Sequence, residues 1–216
     1  AVLGILAVAA YSTAMVLGSA WLQDLPDYED QSKYTLSRKT RVYASDETTL
    51  LAEFYLEDRE PLDSLNQVSD YVKKGTIDTE DERFYEHAGI DVRGILRATV
   101  NNVTGGNREG ASTITQQFVR NTVLASEAGE QTLKRKVREA YIALKLEEIF
   151  SKDEILLMYL NTVNYGSGAY GIEAAAEKYF QKSAKDLTLA ESAALVGIPQ
   201  SPTYNNPIDY PDACLD

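Results

Sequence analysis

The chain of 216 residues has one cysteine, Cys214, one histidine, His87, and one tryptophan, Trp21. A lone cysteine excludes an internal disulfide. With a single histidine beside it, a structural zinc site of the usual Cys/His kind is excluded as well. Positive charge is also scarce: 21 Lys and Arg stand against 33 Asp and Glu, a net charge of −12. A chain this acidic repels phosphate backbones, so no general nucleic-acid binder is expected. Internal repeats and low-complexity stretches are missing too. What remains is 44% hydrophobic and 25% charged residues, the balance of a globular chain long enough to bury a core.

Charge is absent altogether from residues 1–23, AVLGILAVAAYSTAMVLGSAWLQ, and the first acid is Asp24. About 20 apolar residues suffice for a helix to span a bilayer, and Trp21 falls where an interfacial aromatic belongs. A signal-peptide core is shorter, so the segment reads as an uncleaved single transmembrane anchor. The flank formed by Asp24, Asp27, Glu29 and Asp30 is acidic and favours the outer side.

Residues 24–39 are polar and without period, a linker. Residues 40–56 carry two β-rich runs around Ser45-Asp46-Glu47-Thr48, which predicts a hairpin with a four-residue turn. From residue 64 onward helical spacing takes over. Helices are expected over the 64–72 region, over 92–103, from Ile114 to Val123, from Leu133 to Ile149 on a stripe of Leu133, Val137, Tyr141, Leu144 and Ile149, around 155–160, and over 172–180 and 187–197. Pro199, Pro202, Pro207 and Pro211 end the regular structure. The body is mainly α.

Four stretches could carry chemistry. In Thr79–Gly89, four acids (Glu80, Asp81, Glu82 and Glu86) crowd into seven residues beside His87. Thr79 followed by Glu82 fits a capping box, and taken alone a helix start is the simpler account. The alternative is a catalytic carboxylate perturbed by its neighbours. Gly110–Gln117 is a glycine loop running into hydroxyls and amides, which suits either plain serine capping or an anion or sugar site at a helix N-terminus. Lys134-Arg135-Lys136-Val137-Arg138-Glu139 places cations three and four residues before an acid, on one helix face. Local ion pairs on a solvated face explain that pattern, and so does a pyrophosphate clamp beside a second carboxylate. Lys152–Asn161 and the Gly/Ala-rich stretch that follows read as close helix packing.

In order and spacing these stretches resemble the peptidoglycan glycosyltransferase (family 51) domain of class A penicillin-binding proteins. E-D-x-x-F-x-x-H-x-G matches Glu80 to Gly89, G-x-S-T-I-T-Q-Q matches Gly110 to Gln117, and R-K-x-x-E matches Arg135 to Glu139. K-x-x-I-L-E-x-Y-L-N matches Lys152 to Asn161, with Leu157 in place of the usual Glu. The resemblance covers about residues 40–207. It implies a bilobed, lysozyme-like fold with a small N-terminal hairpin: an anchor over 1–23, linker and hairpin over 24–63, and the transferase domain over 64–216, truncated at its C-terminus.

The implied activity is polymerisation of lipid II into β-1,4-linked glycan strands at the outer face of the cytoplasmic membrane, with release of undecaprenyl pyrophosphate. On this resemblance Glu80 is the general base and Glu139 the second carboxylate. Ser112, Gln116 and Gln117 contact the donor, and Arg120, Arg135, Lys136 and Arg138 neutralise the leaving pyrophosphate. A divalent cation, Mg or Mn, has a place in such a site, with Glu139 as a candidate ligand. The expected partners are lipid II, the lipid-linked strand, the membrane, and division or elongation proteins. Two other readings stay open: a lysozyme-like glycan-cleaving enzyme and an inactive membrane-anchored scaffold.

Overall fold

The computed structural model describes residues 12, 13, 15–30, 34, 36, 38–55, 57–105, 110–208, 210 and 211. Most of the anchor expected over 1–23 lies outside the described residues. Its described end is a helix over 15–21, α1. Among the described residues no helix is long and apolar enough to cross a membrane.

The expected hairpin is present, with a longer turn. Strands β1 (Thr40–Tyr43) and β2 (Leu50–Phe54) pair antiparallel with a bulge at Val42/Tyr43. Asp46 organises the turn by accepting from the amides of Thr48 and Thr49 at 3.0 and 2.8 Å. A second sheet has no sequence signal, because its strands are two residues each. In it β3 (Asp58–Arg59) pairs in parallel with β4 (Ala169–Tyr170). The buried Arg59 fastens that contact, donating to the carbonyl of Asn161 at 2.9 Å with its guanidinium over the Tyr170 ring.

The body is helical: α2 (Asp70–Glu80), α3 (Val92–Val103), α4 (Ile114–Asn121), α5 (Leu133–Ile149), α6 (Lys152–Thr162), α7 (Ile172–Phe180) and α8 (Leu189–Gly197). Side-chain caps set most of the starts. Ser69 caps α2 and Thr132 caps α5. Reciprocal boxes open α4 (Thr113 with Gln116), α6 (Ser151 with Glu154) and α8 (Thr188 with Glu191). Helix α2 packs on α8, and α4 packs on both α5 and α6. The core joins Phe84, Ile114, Phe118, Ile142, Leu146, Ile155, Tyr159 and Leu160, with Tyr34 and Tyr28 of the linker packed against it.

Three sequence expectations change here, the first being the helix expected over 64–72, which is a 3-10 turn at Leu65–Gln67 followed by α2 from Asp70. Thr79 and Glu82 do not open a helix, since α2 starts after Ser69 and ends at Glu80, placing the acid cluster at a helix C-terminus. On α5 the apolar stripe faces outward in part: Leu133, Leu144 and Ile149 are exposed, while Arg135, Arg138 and Glu139 are buried beside Ile142, Ala143 and Leu146. Arg135 pairs with Glu139 and Arg138 with Glu127, so burial does not leave these charges without partners.

Candidate active site

Glu80 is the last residue of α2. It lines a cavity of about 520 Å³ together with Ser112, Gln117, Arg120 and Arg97. Its carboxylate accepts a hydrogen bond from Nε2 of Gln117 at 2.7 Å. The Oε1 of the same Gln117 lies 3.3 Å from the hydroxyl of Tyr159, which donates to it. Burial pushes the Tyr159 phenol well above its ordinary range, and the charge of Glu80 adds to the shift, so the phenol remains a donor. Burial and Glu80 act in the same direction on Tyr165.

The next residue, Asp81, plays another part. It is buried, and Nε2 of His87 donates to its carboxylate, 2.9 and 3.0 Å from the two oxygens. Its Oδ2 also accepts from the Ile114 amide, the first helical N–H of α4, at 3.1 Å. Asp81 therefore ties the end of α2 to the start of α4 and fixes Glu80 relative to Gln117. Gly89 closes the same loop. Its φ is 77°, and an added Cβ would stand 2.7 Å from the Ala143 carbonyl of α5. The Gly89 carbonyl accepts from the Thr113 hydroxyl at 2.7 Å. Glu86 is exposed and does not line the cavity.

The helix-start cap of α4 is Thr113, which leaves Ser112 free for other work. Nζ of Lys136 donates to the Ser112 hydroxyl at 2.8 Å and to Glu139 at 2.9 Å. Glu139 is 0% exposed and also pairs with Arg135 one turn earlier on α5. Ser112 thus links the Glu80 cavity to a buried carboxylate held by two cations. Gln116 is placed elsewhere. It is buried, does not line the cavity, and spends its Oε1 on the Thr113 amide at 3.0 Å. Arg138 also points away, toward the segment that follows α1.

A second cavity, of about 700 Å³, shares Gln117, Arg120 and Pro199 with the first. The two cavities are therefore neighbours, with Gln117 and Arg120 of α4 facing both.

A family model described as Transglycosylase matches residues 47–216. The chain belongs to the transglycosylase family. Among the similar proteins, "Penicillin-binding protein 1F" of Bacillus subtilis (strain 168) is 45% identical over 163 residues, 75% of this chain and 22% of that protein. "Penicillin-binding protein 1A" of Rickettsia bellii is 40% identical over 189 residues, 86% of this chain and 23% of its own length. The protein of the same name from Neisseria lactamica is 40% identical over 210 residues, 97% of this chain and 25% of its own. The chain spans about a quarter of the length of these relatives. The resemblance to the peptidoglycan glycosyltransferase domain of penicillin-binding proteins is borne out.

In this transglycosylase the sequence singled out Glu80, Ser112, Gln117 and Arg120, and they share one cavity. It overlooked Tyr159, which sits inside a segment taken for helix packing. The only signal there was a tyrosine among core residues, and a buried phenol needs a polar partner. Arg83 and Arg97 were also missed. Both line the Glu80 cavity, and Arg83 donates to Asp91 at 2.5 Å.

Proposed function

We propose that this transglycosylase polymerises lipid II, joining it to a strand carried on undecaprenyl pyrophosphate. The supporting observation is one cavity that holds both a carboxylate, Glu80, and a hydroxyl, Ser112, tied to the Lys136–Glu139–Arg135 cluster. Glu80 takes the proton of the attacking sugar hydroxyl as the bond to the anomeric carbon forms. The pyrophosphate leaves with its charge developing, and cations with oriented donors stabilise it without a strong general acid. Lys136, Ser112 and Arg120 supply that stabilisation. Gln117 orients Glu80, and Arg135 with Glu139 holds Lys136 in place. One displacement inverts the centre and turns an α-linked donor into a β-1,4-linked product.

Glu139 does not fit a divalent cation in this arrangement. Its two oxygens are engaged by Arg135 and Lys136, and the carboxylate is shut off from solvent.

The bilobed lysozyme-like division and the membrane setting belong to the same proposal. Helix α3 supports the latter: Val92, Leu96, Val100 and Val103 are all exposed, Val103 at 81%, which suits a helix dipping into an interface beside a lipid-linked substrate. A single span over 1–23, with the body on the outer side of the cytoplasmic membrane, completes it.

A glycan-cleaving enzyme is the second reading, and the cationic cluster argues against it, because a neutral glycan has no pyrophosphate to neutralise. Labelled lipid II offered to the chain should be converted to polymer, while finished glycan stays intact. Glu80→Gln should lower turnover by at least ~10²–10⁴-fold while leaving the fold unchanged. Cleavage of finished glycan, or full activity of Glu80→Gln, would overturn the proposal.

A further inference from the structure

Arg138 is 5% exposed and stands one residue before Glu139, yet it reaches neither cavity. Its Nη1 donates to the carbonyl of Trp21 at 3.1 Å and its Nη2 to that of Asp24 at 2.9 Å. The Glu127 carboxylate lies 2.9 Å from the same Nη2. Trp21 is the last residue of α1, so the guanidinium satisfies carbonyls at a helix C-terminus, where a cation is favoured. Beyond the latch the chain runs over the core. Leu25 and Tyr28 pack against it, with the Tyr28 ring edge-on to Tyr141 of α5. The Tyr34 hydroxyl donates to the Tyr28 carbonyl at 2.5 Å, and its ring packs on Phe118 and Phe150 at 5.8 Å each. Pro26, Asp27, Tyr34 and Leu36 thereby become part of the wall of the 700 Å³ cavity that also contains Gln117 and Arg120.

We propose that Arg138 is a positioning residue. By fastening the end of α1 to α5 it holds Pro26, Tyr34 and Leu36 as one wall of the second cavity, and so sets how firmly the glycan is retained between additions. This rests on the lipid II polymerase reading given above. The wall meets sugar units away from the reacting atoms. Loosening it removes binding shared by ground and transition states, so KM rises and strands are released early while kcat changes little.

The test uses the full chain in detergent with Arg138→Ala, Arg138→Lys and Tyr34→Ala. Arg138→Ala is expected to raise KM for lipid II by about tenfold, the equivalent of one charge-assisted contact, and to shorten the strands. Arg138→Lys should not rescue, because a point charge cannot span two carbonyls and Glu127. Tyr34→Ala should shorten the strands with Arg138 intact, and it decides the matter if Arg138→Ala fails to fold. Trp21 is the only tryptophan, so its fluorescence anisotropy reports the latch without any turnover. The anisotropy should drop in Arg138→Ala and stay unchanged in Glu80→Gln. Unchanged strand length and KM, or a collapse of kcat with unaltered Trp21 anisotropy, would overturn the proposal. If the wild-type chain makes no polymer, the polymerase reading fails, and the Trp21 measurement still decides whether the latch exists.

Discussion

Gln117 holds Glu80 with one end of its amide and meets Tyr159 with the other, at 2.7 and 3.3 Å. The carboxylate is thereby aimed from α4 and, through Tyr159, from α6, although it is carried at the end of α2. For the base proposed at Glu80, which must meet a hydroxyl in one geometry, such fixing is an advantage.

Gln117→Ala should therefore lower kcat by about 10–100-fold, the value of a lost charge-assisted hydrogen bond, with a small change in melting temperature. Gln117→Glu should be worse, since it sets a like charge against Glu80. Steady-state lipid II kinetics on both variants check this. Wild-type kcat in Gln117→Ala would remove the orienting role.

Arg135 and Lys136 should separate by what they damage. The Arg135 side chain is nearly buried and pairs with a fully buried carboxylate, whereas that of Lys136 is 41% exposed and also serves Ser112. Removing Arg135 leaves Glu139 short of a partner in the interior and should cost ~3–5 kcal/mol of stability. Lys136→Ala should cost less stability and weaken a pyrophosphate-bearing donor analogue by about tenfold or more. Urea unfolding and analogue titration on both variants check the split. Equal losses in both assays would return the cluster to a plain ion-pair network.

Helix α3 exposes Leu96 at 63% and Val100 at 60%. Two such side chains entering an interface contribute about 2–4 kcal/mol. In a chain beginning at Asp24, replacing both by Asp should lower liposome binding by ~10²-fold without shifting the melting temperature. Binding that survives the double substitution would place the lipid contact elsewhere.

Glu191 carries a pH dependence. Its carboxylate takes hydrogen bonds from Lys182 at 2.6 Å and from the Thr188 amide and hydroxyl at 2.8 Å each. Lys182 first, then the Thr188 amide, holds its pKa down at about 2. An unfolded glutamate titrates near about 4.3. The folded value is the lower one, so the stabilisation is complete above about 4.3 and is lost as pH falls toward about 2. The gap in melting temperature between the wild type and Glu191→Gln should be widest above about pH 5 and nearly closed at about pH 2. A gap independent of pH would show that folding does not hold the Glu191 carboxyl below its unfolded value.

By itself the sequence determined the family, the mainly helical body, the hairpin, the extents of α3 and α7, and the placing of Arg135 and Lys136 beside Glu139. These follow from short-range periods and from motif spacing, which a chain carries without folding. Tertiary structure decided what spacing cannot encode. Thr79–Glu82 looked like a helix start, and packing made it a helix end, because the cap that wins is Ser69. Gln116 and Gln117 are neighbours in sequence but face apart on α4, so one closes a capping box and the other holds Glu80. Part of the stripe on α5 faces outward although it matched the helical period, and the buried face carries Arg135, Arg138 and Glu139 beside Ile142, Ala143 and Leu146, since the charges find partners there in one another, Lys136 and the end of α1. Those partners lie up to 117 residues away in the chain. Only folding brings such groups within hydrogen-bond distance, and that distance is what distinguishes Lys136, on Ser112 and Glu139, from Arg138, on the end of α1.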